Sequence, residues 1–240
     1  RANRPWQGQT EKTEQKNLSA HDENCYLCAG NIRVNGEKNP EYTGVFVFEN
    51  DFGSLMKNEV ESNADSSDLF KIKPERGINR VICFSENHSL TLPEMEVDKI
   101  KNVVDVWQKQ YAELGNFDYI NHVQIFENKG QVMGCSNPHP HGQIWAQSSV
   151  PSLVEKTQKN LAAYYEKHQC SLLEDYLEKE LISGERIVLE NRDFVALVPF
   201  WAIWPFETMI VSRRKAENIL SFSEDEKHFF AEILKYLTTK

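Results

Sequence analysis

Gly134-Cys135-Ser136-Asn137-Pro138-His139-Pro140-His141-Gly142-Gln143-Ile144-Trp145 is the stretch that decides how this chain is read. Two of the seven histidines fall in it, at i and i+2. Side chains at i and i+2 share one face of a β-strand. Pro138 and Pro140 argue against a helix, because proline removes an N–H and clashes with the preceding turn. His139 and His141 are therefore expected to enter a strand side by side, with Gln143 next on the same face. Gly134 and Gly142 are expected to leave room for a ligand to approach the backbone.

Outward from this stretch, apolar runs of strand length recur. They are 45–48, 80–84, 123–126, 144–146, 187–189, 194–198 and 209–211. Residues 57–79 are polar and read as a surface loop. Val97, Ile100, Val103, Val104, Trp107, Tyr111 and Leu114 form one stripe at helical spacing, which predicts a helix over 97–114. Residues 152–182 read as helical, and Ser183-Gly184 as their stop. Ser223 with Glu226 is a capping-box pattern opening a last helix, which carries Phe229, Phe230, Ile233, Leu234 and Leu237. Strands interleaved with one long helix indicate an α+β fold. A weak internal repeat links 46–52 with 188–194, each with Glu-Asn at its centre.

The composition is that of a globular protein, with 40% hydrophobic and 26% charged residues in 240. No apolar run approaches the ~18 residues of a membrane span, so no membrane partner is expected. A formal charge of −9 opposes broad nucleic-acid binding, which needs a basic surface. A small anionic substrate needs only local donors. The chain opens at Arg1 without methionine and ends within a helical pattern, so it reads as an internal fragment.

Five cysteines, at 25, 28, 83, 135 and 170, do not suggest a disulfide framework. Cys25 and Cys28 have knuckle spacing for zinc, although a redox pair fits the same two residues.

The Gly-Cys-Ser-Asn-Pro-His-Pro-His-Gly-Gln segment resembles the active-site signature of the galactose-1-phosphate uridylyltransferase family. This is the transferase branch of the histidine-triad superfamily, in which glutamine, here Gln143, replaces the third histidine. Residues 1–8 and 199–208 resemble the family too, so the likeness spans nearly the whole chain. It implies a duplicated histidine-triad-like fold, an antiparallel half-barrel sheet with flanking helices, whose second copy is truncated here. The corresponding domains are 1–150, catalytic, and 151–240, linker helices plus the incomplete second copy.

The resemblance also implies chemistry. It adds His88 and His139 to Cys25 and Cys28 as the ligands of a closed, structural Zn2+ site. It assigns the nucleophile to His141, whose protonated ring nitrogen would face the carbonyl of His139. The implied reaction moves UMP from UDP-glucose to galactose 1-phosphate through a covalent uridylyl-histidine. Gln143 would donate to the transferred phosphoryl group. Ser136, with the backbone of Gly134 and Cys135, would meet the outer phosphate. Asn128 matches a further substrate contact, and Asn50 and Asp51 match the pair near the ribose, although they also read as a plain turn. Arg1 and Arg4 match basic residues that reach across a dimer interface, so a homodimer in the cytoplasm is expected. At the family's second metal site, often iron, Thr157 replaces a glutamate and Glu155 stands two residues before it. That site is not expected here. The alternatives are another histidine-triad enzyme, a nucleotide-sugar phosphorylase or hydrolase, and a non-enzymatic zinc-stabilised module.

Overall fold

The computed structural model describes residues 19–58, 69–70 and 73–239. Arg1 and Arg4 lie outside the described residues, as does most of the polar segment 59–72.

Seven strands and four α-helices make up the described chain. In order they are β1 (Phe46–Glu49), β2 (Gly77–Cys83), α1 (Val97–Gly115), β3 (His122–Phe126), β4 (His141–Gln147), α2 (Ser152–His168), α3 (Leu172–Ser183), β5 (Ile187–Glu190), β6 (Phe194–Leu197), β7 (Met209–Ser212) and α4 (Glu224–Thr239). They form two open antiparallel sheets, ordered β1-β2-β4-β3 and β5-β6-β7. The α+β expectation holds in both sheets.

Strand β4 is central in the first sheet and alternates strictly. Gly142, Ile144 and Ala146 are buried on one face, while His141, Gln143, Trp145 and Gln147 are half-buried on the other. The buried face packs against α1, where Ile100, Val103, Val104 and Leu114 are completely buried. At roughly 25 cal/mol per Å2, burying such a stripe is the main force holding helix to sheet. Gly142 therefore has a different role from the one expected. A Cβ there would lie 3.0 Å from the Phe126 carbonyl oxygen and 3.0 Å from Cζ of Phe84. The missing side chain admits core atoms, not a ligand. Gly134 does serve its turn, at φ +84° with open space around it.

The expected single helical run over 152–182 is two helices. Gln169, at φ 59°, closes α2 in the left-handed region, and Ser171 opens α3. The internal repeat holds for β1 and β5, and then the halves part. After Glu190 the chain turns straight into β6, whereas after Glu49 it turns irregularly through 50–56 and β1 pairs directly with β2.

Helix α4 joins the two sheets. Its capping box is complete: Ser223 N–H donates to Glu226 Oε2 at 2.8 Å, and Glu226 N–H donates to Ser223 Oγ at 3.3 Å. Ala231, Phe230 and Leu234 extend the core of the first sheet and α1. Ile233, Phe229 and Leu237 pack with Phe194 and Ala196 of β6. Lys227, almost buried, reaches Asp105 of α1 at 2.5 Å and so ties α4 to α1 electrostatically as well.

Candidate active site

The half-buried face of β4 supplies one wall of a cleft. Antiparallel pairing sets Cys83 opposite His141, Val81 opposite Gln143 and Asn79 opposite Trp145. Directly opposed residues point to the same side of a sheet, so β2 and β4 present their side chains in matched rows. The cleft has a volume of about 230 Å3. Its walls are Tyr26 and Leu27 from the knuckle, Phe48 from β1, Asn50, Asp51, Phe52 and Ser54 from the turn after it, Asn79 and Val81 from β2, and Ser136, His141, Gln143 and Trp145. Asn50, Asp51, Ser136, His141 and Gln143 are thus brought together from two separated stretches of sequence. Asn128, Gly134 and Cys135 lie on the loop that carries Ser136, but they are not part of the cleft wall.

His139 is not on the strand. The ladder starts at His141, because Pro138 and Pro140 have no N–H to extend it. The N–H of His139 is taken by the side-chain oxygen of Asn137 at 2.9 Å. Its ring is fully buried on the far side of the segment, against Cys25 and Cys28. The two histidines are therefore divided between two sites, not aligned on one face.

His141 is held by a single strong contact. Its Nδ1 lies 2.7 Å from the carbonyl oxygen of His139. A carbonyl can only accept, so Nδ1 carries the proton and Nε2 keeps its lone pair. Burial holds the imidazole below its ordinary pKa, with the bond to the His139 carbonyl partly opposing. The ring is thus neutral near pH 7, the form in which it can act as a nucleophile.

Gln143 sits two residues on. The indole N–H of Trp145 donates to its Oε1 at 3.2 Å. Asp51, its side chain only 7% exposed, faces the guanidinium of Arg33 at 3.6 Å, and that guanidinium also lies 4.5 Å above the ring of Phe48. Arg33, Tyr26 and Asn79 carry no motif that marks them in advance. Only the strand register or the path of the turn reveals them. Asn79 accepts the N–H of Leu55 at 2.8 Å, and its carbonyl accepts the N–H of Asn50 at 2.9 Å, which fastens the 50–56 turn over β2.

Beneath the cleft, Cys25, Cys28, His88 and His139 are all buried, and their ligand atoms lie within 4.8 Å of one another. His139 Nδ1 is 3.5 Å from Cys28 Sγ and 4.0 Å from Cys25 Sγ; His88 Nδ1 is 3.4 Å from Cys28 Sγ. Each ring turns its other nitrogen outward, His139 Nε2 to the Ser85 carbonyl at 2.9 Å and His88 Nε2 toward Asp22 at 3.9 Å. Such outer partners orient histidine ligands of metals. Burial pushes the Cys28 thiol up to about 11 and the His139 imidazole down to about 4. The histidine is thus already in its ligating form, and a cation would displace the thiol protons. The cluster could hold a metal ion. Glu155, by contrast, pairs with Lys159 at 2.9 Å, and the Thr157 hydroxyl donates to the Leu153 carbonyl.

Two family models, the N-terminal and C-terminal domains of galactose-1-phosphate uridyl transferase, match residues 1–151 and 155–240. The chain belongs to the galactose-1-phosphate uridylyltransferase family. It is 47% identical to the galactose-1-phosphate uridylyltransferase of Haemophilus influenzae over 241 residues, covering all of this chain and 68% of that protein. It is 41% identical to the Schizosaccharomyces pombe enzyme over 256 residues, covering all of this chain and 69% of that protein. A solved uridylyltransferase structure superposes with a TM-score of 0.79 at 28% identity, over 88% of this chain and 65% of that one. The chain thus spans about two thirds of the length of these relatives. Among the described residues, no helix is long and apolar enough to cross a membrane.

Proposed function

We propose that this protein transfers a uridylyl group from UDP-glucose to galactose 1-phosphate, with His141 as the nucleophile. The observation that carries the reading is the hydrogen bond from His141 Nδ1 to the His139 carbonyl, which leaves Nε2 free in a cleft lined by Asp51, Ser136 and Gln143. In the first step the Nε2 lone pair attacks the α-phosphorus. A P–N bond forms, and the P–O bond to the sugar phosphate breaks, releasing glucose 1-phosphate with that electron pair. The ring becomes a cation, stabilised by its N–H bond to the His139 carbonyl. In the second step a phosphate oxygen of galactose 1-phosphate attacks the same phosphorus. UDP-galactose forms, and the neutral imidazole is restored.

Gln143 offers a neutral donor to the phosphoryl oxygens as charge moves onto them. Ser136 serves the outer phosphate, with the Gly134–Cys135 backbone and Asn128 nearby on the same loop. Asp51, held by Arg33, accepts hydroxyl hydrogens of the ribose beside Asn50, and Phe48 and Val81 give the base apolar surface. Arg1 and Arg4 belong to the nucleotide-sugar site across a homodimer interface. The catalytic unit corresponds to 1–150, with 151–240 supplying linker helices and the second unit.

Zinc suits the buried cluster. With Zn–S near ~2.3 Å and Zn–N near ~2.0–2.1 Å, tetrahedral S···N edges come to about 3.6 Å. The separations of 3.4, 3.5 and 4.0 Å bracket that value. Two thiolates and two imidazoles would complete the shell, so the ion's role would be structural. Bound there, it would tie the knuckle and the Ser85–His88 turn to the residue whose carbonyl aims His141.

Incubation with UDP-glucose labelled in the uridylyl group tests the reading. An acid-labile protein adduct should form and be discharged by galactose 1-phosphate to UDP-galactose. Discharge by inorganic phosphate or water alone would point to a phosphorylase or hydrolase, and absence of an adduct would refute the mechanism.

A further inference from the structure

We infer that Trp145 is a positioning residue that fixes which end of the Gln143 amide faces the substrate. The inference rests on the proposed role of Gln143 as a phosphoryl donor. A glutamine amide has two ends of opposite character, an acceptor oxygen and an NH2 donor. If the oxygen faced the phosphoryl group, two electron-rich centres would oppose each other. Nothing in the glutamine itself selects the useful orientation.

The indole of Trp145 supplies that selection. Its N–H can only donate, and it lies 3.2 Å from Gln143 Oε1. The oxygen is therefore drawn along β4 toward Trp145, away from His141. Among the described residues no partner engages Gln143 Nε2, so the NH2 end remains for a ligand. Period two places His141, Gln143 and Trp145 in one row on the cleft wall, so the donor to the oxygen lies on the side opposite the nucleophile. The indole is itself held. Its ring meets Phe126 edge to face at 6.2 Å, and Phe126 is the strand partner of Gln143.

The test is a double-mutant cycle on the rate of adduct formation from UDP-glucose, using W145F, Q143A and the double variant. Phenylalanine keeps an aromatic ring but loses the N–H donor together with part of the indole's volume, and the Q143A background separates the two losses. A neutral hydrogen bond is worth about 0.5–1.5 kcal/mol net, so W145F should slow adduct formation about two- to tenfold. KM for UDP-glucose should change less than the rate constant. In the Q143A background, W145F should cost nothing further. An equal loss in both backgrounds, or a wild-type rate for W145F, overturns the inference. Q143A forming the adduct at the wild-type rate overturns the role of Gln143 itself and the inference with it. A reading that does not depend on how well W145F folds comes from the indole N–H proton resonances, one of which should move in Q143A. If none moves, the bond is absent and the inference fails.

Discussion

Gly142→Ala tests whether the packing behind β4 sets the position of the residues in front of it. The added Cβ would lie 3.0 Å from the Phe126 carbonyl oxygen, 3.0 Å from Phe84 Cζ and 3.2 Å from Phe84 Cε1. Good contacts between carbons lie near ~3.5–4.0 Å, so a shift of about half an ångström is required. Neither neighbour yields easily. Phe84 is 1% exposed within the main core, and Phe126 is paired to Gln143 in the β3–β4 ladder. Overpacking of this kind costs about 1–3 kcal/mol. For a chain of this size each kcal/mol lowers Tm by roughly 2–4 °C, which gives a fall of about 2–12 °C. Because His141 and Gln143 flank the glycine, adduct formation should also slow at 25 °C, where the variant is still folded. Thermal unfolding followed by circular dichroism and a labelling time course at 25 °C measure the two effects. A variant with unchanged Tm and full labelling rate would refute the claim that this face is closed.

Four further outcomes are expected. Cys28→Ala should release the bound metal, measured by elemental analysis, and lower Tm; a variant that keeps a full equivalent of metal would contradict the ligand set. Ala231→Leu, at a completely buried contact between α4 and the first core, should destabilise by about 1–3 kcal/mol in urea titration, because α4 is shared by both sheets. Glu226, whose carboxyl the Arg214 guanidinium pulls down to about 2, contributes stability that is full above its ordinary value of 4.5 and is lost as pH falls toward 2. Tm of Glu226→Gln should therefore lie below wild type at neutral pH and converge with it in acid, and parallel curves would contradict this. Arg33→Met should free Asp51 and raise KM for UDP-glucose more than it lowers kcat, measured by steady-state kinetics; an unchanged KM would remove Asp51 from nucleotide binding.

The period-two row of His141 and Gln143 was legible because strand alternation needs no tertiary information, and β4 keeps it through Trp145. The stripe of α1 and the cap of α4 were legible for the same reason: both are local patterns. His139 was misjudged as a strand residue because two prolines and an asparagine side chain use up the local backbone bonds before the ladder begins. Gly142 was read as an opening, since sequence does not show which face of a strand carries the ligand and which the core. The break between α2 and α3 rests on one left-handed glutamine, a conformation glutamine seldom adopts and composition does not signal. Tyr26 and Asn79 reach the cleft, and Arg33 reaches Asp51, through tertiary paths alone. The convergence of Cys25, Cys28, His88 and His139 was not evident from their long spacing; the family likeness brought His88 and His139 to the pair.

The central claim is that His141, aimed by the His139 carbonyl, takes up the uridylyl group. The most direct measurement is to locate the adduct. The protein is treated with UDP-glucose, quenched under alkaline conditions and digested, and the labelled peptide is sequenced by mass spectrometry. One uridylyl group should be found on His141, and it should disappear in His141→Ala while metal content stays at the wild-type level. Label on another residue, or undiminished label in His141→Ala, would contradict the account.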